Sequence, residues 1–215
     1  MKRFDDTPAA RRQAQLVQAL SRAVQCSLLD ALLSLGDEPA GGRAPMAVPR
    51  GREPRAPARL AQHQPGGPTA RAAAQALYER CLADAAPAGH DDTGAVLARF
   101  VAANVGALRD DVVTAPMLDR LARQLAAVVG HSPAWRRADL QERQSYVEEL
   151  AVVGVLVREM TAQAALQGCA AVAHVRCAAR GYLRHLLGLE PDRLAIGERG
   201  LAIVEAPDTC EAAQA

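Results

Sequence analysis

The stretch Leu150-Ala151-Val152-Val153-Gly154-Val155-Leu156-Val157 constrains this chain more than any other feature. It lies inside a helical pattern that opens at Asp139, with Glu142 at capping-box spacing, and runs to about Gln167 before Gly168. Over this run the helix has no polar face. A helix apolar all round belongs at the centre of a bundle, with other helices around it. The run falls far short of the roughly 20 residues that cross a bilayer, so no membrane span is expected.

Helices of the right kind flank it. Thr69 caps one reaching about Ala86, with Leu77, Tyr78, Cys81 and Leu82 on one face. Asp91 or Asp92 caps the next, striped by Val96, Leu97, Phe100, Val101, Val105 and Leu108. Thr114 with Pro116 opens a third, which Gly130 ends, with Leu118, Leu121 and Leu125 facing inward. Ser132-Pro133 starts a short turn carrying Trp135. A last long helix runs from about Ala170 to Leu187, and Gly188 closes it. Residues 191–204 read as one helical turn and an extended piece. Composition agrees: 47 alanines with only 3% aromatic residues argue against an all-β fold, which wants Val, Ile, Thr and aromatics. The expected fold is all-α, an alanine-rich bundle of about five helices over residues 69–204, with a frayed tail at 205–215. No fixed-period repeat points to a solenoid.

Ahead of the bundle, residues 8–35 form an amphipathic helix, with Leu16, Val17, Leu20, Val24, Leu28 and Leu35 at three- and four-residue steps. Gly36 stops it, so residues 1–36 make an N-terminal helical unit. Residues 37–68 hold seven prolines and five glycines and read as a disordered linker.

Net charge is +1, which implies no general attraction to polyanions. That figure hides a basic linker, whose six arginines between 41 and 71 face only Glu53, and an acidic end beyond residue 186. No aromatic residue accompanies those arginines for base stacking, so a nucleic-acid partner is not expected. Five scattered cysteines fit reduced thiols. With no apolar leader pattern after Met1, the expected location is cytoplasmic.

Arg143-Gln144, Glu148 and the apolar run resemble a family of uncharacterised bacterial helical proteins classed as a domain of unknown function. The likeness continues through Leu186-Leu187-Gly188-Leu189, Pro191-Asp192, Leu194 and Gly200-Leu201, and covers about residues 70–204. It implies a helical fold and no particular reaction. Many members carry export signals, and this chain shows none.

Chemistry-bearing residues are few. Arg176, Arg180 and Arg184 form an i, i+4, i+8 ladder suited to an acidic partner or phosphate, and no acid on the same helix neutralises them. The structural alternative pairs them with Glu148, Glu149 or Glu159. His174, Cys177 and His185 share one side of that helix but spread over more than about 15 Å, too far for one zinc, so no metal is expected. Glu148 and Glu159 are about 16 Å apart by helical rise, too far for a glycosidase pair. Glu148 reads instead as a buried polar anchor, and Asn104 as a satisfied core amide. Helix capping accounts for Asp91 and Asp92 beside His90. No cofactor fingerprint is present.

The expected function is a non-enzymatic protein–protein interaction module, adaptor or chaperone-like. Its partner, or a second copy, would meet the N-terminal helix at Leu20, Val24 and Leu28, or the ladder Arg176, Arg180 and Arg184. The rival is a small-ligand sensor or enzyme with a polar cleft among the last three helices, using Arg180, Glu148 or His174.

Overall fold

A computed structural model describes residues 11–12, 14–23, 46–49, 54–62, 65–85, 90–109, 112–187 and 190–203. Helical residues 11–12 and 14–23 form α1. There follow β1 (Ala47–Pro49), α2 (Ala56–Gln62), α3 (Pro68–Ala85), β2 (His90–Asp92), α4 (Thr93–Arg109), α5 (Ala115–His131), α6 (Pro133–Arg137), α7 (Leu140–Gln167) and α8 (Cys169–Leu187). A 3-10 turn at Pro191–Arg193 leads into an antiparallel hairpin of β3 (Leu194–Gly197) and β4 (Gly200–Ile203). The architecture is mostly all-α, as expected.

Helix α7 is the hub. It packs against α2, α3, α4, α8 and β1, and Leu150, Ala151, Val152, Gly154, Val155 and Val157 are all buried. Gly154 sets the closest approach to α4: a Cβ there would lie 3.3 Å from the Cα of Phe100. The start of α7 is the capping box that the sequence predicts, with Asp139 Oδ1 accepting from Glu142 N at 2.7 Å and Glu142 Oε2 from Asp139 N at 3.1 Å. Gly168, at φ +98°, turns the chain into α8. Asp92 caps α4 by accepting from Ala95 N at 3.0 Å.

Two parts of the 37–68 segment carry regular structure. Strand β1 pairs antiparallel with β2, Val48 opposite Asp91, and buries Met46 and Val48 while Ala47 faces out. Thr93 ties this pair down, donating from both N and Oγ1 to the Met46 carbonyl at 3.0 and 2.8 Å. Helix α2 lies across α3 and α7. Within the segment read as a linker, both pieces find partners more than forty residues away. Residues 37–45, 50–53 and 63–64 of that segment lie outside the described ones, as does the whole of the 205–215 tail assignment.

The N-terminal helix packs on its own bundle. Leu16 and Leu20 belong to the main core, and Ser21 Oγ donates to the His185 carbonyl at the end of α8 at 3.0 Å. Arg12 pairs with Glu142 at 3.0 Å. Residues 191–204, expected as a turn and one extended piece, contain a complete hairpin; Leu194 and Leu201 sit in the core.

Candidate functional site

The arginine ladder on α8 works inside the molecule. Arg180 grips Asp192 with both nitrogens, at 2.9 and 2.8 Å, and Arg184 meets Glu190 at 2.7 Å. Arg109 adds donors to the carbonyls of Pro191 and Asp192. Arg176 is also engaged in a polar or electrostatic contact. The Arg184 hydrogen bond holds the Glu190 carboxyl below the usual carboxylate range, and Glu190 in turn raises Arg184. The acids that neutralise Arg180 and Arg184 therefore come from the loop after α8. Glu149 instead takes Arg59, Glu159 takes Arg80, and Glu148 serves α2.

Glu148 is the most deeply buried carboxylate described, 2% exposed. Its Oε2 accepts from the backbone N–H groups of Arg55 and Ala56 at 3.0 and 3.2 Å, and Oε1 from Gln144 Nε2 at 2.7 Å. A side chain on α7 thus satisfies N–H groups at the start of α2, a role that an N-cap residue ordinarily fills. Arg59 strengthens the junction through Ser145 at 2.8 Å and through Glu149. This is the buried polar anchor that the sequence predicts. Asn104 differs from expectation: Nδ2 donates to the Phe100 carbonyl at 2.7 Å, but the buried Oδ1 has no partner among the described residues.

Of the other predicted contact residues, Leu20 is wholly buried, so its side chain is spent on the bundle. Val24 and Leu28 lie outside the described residues. The three groups of the proposed polar cleft are not brought together. Glu148 is sealed beneath α2, Arg180 holds Asp192, and His174 is exposed on α8. Among the described residues no three His, Cys, Asp or Glu side chains converge as metal ligands. Among the described residues no helix is long and apolar enough to cross a membrane.

What the structure brings forward is the turn between α7 and α8. Residues 165–170 are all exposed, and Leu166 is 89% exposed, more than any other large apolar side chain described. Beside it lies a shallow groove of about 250 Å³ lined by Met160, Gln163, Ala164, Gln167, Ala171, His174 and Val175. Small side chains close the hairpin below, with Ala164, Val175 and Ala179 buried against Ala107 and Val157. Residues 160–175 include no Asp, Glu, Lys or Arg. This charge gap is the signal available in the sequence, and periodicity alone does not reveal it.

No curated protein and no solved structure matches the chain. A family of unknown function (DUF6683) matches over residues 5–204, which takes in α1 and the 37–68 segment as well as the bundle, and the chain belongs to that family.

Proposed function

We propose that the protein is a non-enzymatic helical interaction module, adaptor or chaperone-like, and that its contact surface is the tip of the α7–α8 hairpin. The supporting observation is the exposed Leu166 beside an apolar-lined groove on an uncharged projection. Exposed apolar surface gathered in one place favours a protein contact, whereas single scattered residues carry no such meaning. The chemistry-bearing side chains support the same reading, because Glu148, Arg180 and Arg184 are each committed to holding elements of the fold. The reading includes a bacterial origin, drawn from the family resemblance, and a cytoplasmic location, drawn from free thiols at Cys81, Cys169 and Cys177.

The test is a photo-crosslinking amino acid placed in living cells at Ala170, exposed on the first turn of α8. A defined protein adduct that disappears when Leu166→Glu is added supports the proposal. No adduct, or one indifferent to Leu166→Glu, overturns it. The rival, a ligand sensor or enzyme, would be favoured by a small molecule retained in native mass spectrometry of the full chain and lost on His174→Ala.

A further inference from the structure

We infer that α2 is a strap: it opens from the bundle as a unit while the rest of the molecule stays folded, and Glu148 is its catch. Length is the first reason. Seven residues are too few to hold a helix alone, since isolated helices shorter than about 12–15 residues are marginal in water. Helix α2 therefore exists only while docked, so that leaving the bundle and losing the helix are one transition.

Its apolar hold is thin. The residues it buries are Ala56, Pro57 and Ala61, and Leu60 is only partly covered. Helix α4, by contrast, buries Val96, Leu97, Phe100, Val101 and Val105. Hydrophobic stabilisation scales with the apolar area removed from water, so α2 gains little from it. Polar contacts to one stripe of α7 carry much of the rest. The N–H groups of Arg55 and Ala56 donate to Glu148, and the Arg59 guanidinium donates to Ser145 and Glu149. Water can replace each of these. When α2 lifts, the Glu148 carboxylate, 2% exposed in the closed form, is solvated, and the desolvation that burial imposes on it is relieved.

Both ends of the strap stay tied. Upstream, Thr93 holds the Met46 carbonyl beside β1; downstream, α3 packs on α7. The opened segment is a loop fixed at each end, and it closes again without a search for a partner. While open it uncovers Ser145, Glu148 and Glu149, a hydroxyl and two carboxylates that complement a basic segment. Helix α2 supplies that chemistry through Arg59 when closed.

The experiment is native-state hydrogen exchange on the full chain, read by mass spectrometry over urea concentrations below the unfolding transition. The amides of α2 should be at least about a hundredfold less protected than those of 150–157, with a weaker dependence on urea, as a local opening requires. Arg59→Met keeps an unbranched stem and removes both contacts to α7. It should speed exchange in α2 by about tenfold or more, the effect of losing a hydrogen bond to a charged group, and leave 150–157 within about twofold. Glu148→Gln, which puts an amide where the carboxylate accepts the Arg55 and Ala56 N–H groups, should do the same. If Glu148→Gln fails to fold, Arg59→Met decides alone. Exchange in α2 that matches 150–157 in protection and urea dependence overturns the inference, because α2 then opens only with the whole fold. Variants that speed both regions equally, or neither, also overturn it.

Discussion

The side-chain amide of Gln124 on α5 bonds the backbone of Leu201 on β4 in both directions. Nε2 donates to the Leu201 carbonyl at 3.0 Å, and Oε1 accepts from the Leu201 N–H at 2.8 Å. One glutamine thereby imitates a neighbouring strand and fixes the C-terminal hairpin to the bundle. The adjoining residue, Gly200, has φ +99°, and a Cβ there would stand 2.6 Å from that same Oε1. Glycine is required twice over, by conformation and by space.

Gln124→Ala is expected to cost about 1–3 kcal/mol, since it leaves both Leu201 backbone groups unpaired. Amide exchange should quicken across residues 194–203 and stay slow in α4 and α7. Gly200→Ala is expected to destabilise as well. In the double variant the two costs should sum to more than is measured, because removing Gln124 relieves the clash. Strict additivity in urea unfolding would contradict the proposed contact.

Glu148→Ala strips the α2 start of its acceptor and leaves Gln144 without its partner. A loss of about 1.5–3 kcal/mol is expected, the range for hydrogen bonds to a charged group. Exchange at 55–62 should rise more than exchange elsewhere. Equal loss across every helix would show that Glu148 acts on the core at large, not on α2.

Tyr146 is buried against Trp135, ring centroids 6.2 Å apart, and its hydroxyl has no hydrogen-bond partner among the described residues. Burial pushes its phenol well above the ordinary value, with Glu149 adding to the shift. The folded chain therefore keeps the proton where the unfolded chain loses it. That contribution is complete below the ordinary tyrosine value, about 10, and drains away as pH rises beyond it toward the folded value. Tyr146→Phe keeps the ring and removes the unpaired hydroxyl, so near neutral pH it should be neutral or up to about 1 kcal/mol stabilising. Above about pH 10 the variant should lose less stability than the wild type. Parallel curves against pH would contradict the burial of an unpartnered hydroxyl.

Glu190 titrates in the opposite sense. Its carboxyl is lowered by Arg184, so the pair contributes above the ordinary carboxylate range and is lost as pH falls through the lowered value. Both side chains are about half exposed, and the contribution is correspondingly small. Carboxyl-carbon NMR titration should show Glu190 moving up in Arg184→Gln. An unmoved titration would mean that the ladder does not hold this loop in solution.

The pattern of what the sequence reveals follows the reach of each interaction. Asp139 with Glu142, Asp92 with Ala95, and Gly168 act within three or four residues, so helix boundaries are legible from local chemistry. The centrality of α7 is legible too, because an unbroken apolar run has only one stable setting. Helix α2 is not. It has no capping side chain before Ala56, and its acceptor, Glu148, lies 92 residues on. Pro57, in the first turn of α2, is a start signal hidden among linker prolines. The three-residue β1 is too short for its alternation to register and depends on Thr93. The arginine ladder is visible, but its partners Asp192 and Glu190 follow the helix and escape a reading confined to helix faces. The hairpin tip is legible only as missing charge, and the exposure of Leu166 gives that absence its meaning.

The account's central claim is that Leu166 serves contact and not folding. The direct measurement compares wild-type and Leu166→Glu chains for thermal unfolding as purified proteins and for crosslinking at Ala170 in living cells. At 89% exposure, the substitution should change stability by no more than about 0.5 kcal/mol while abolishing the adduct. A large fall in unfolding temperature, or an adduct that persists in Leu166→Glu, would contradict it.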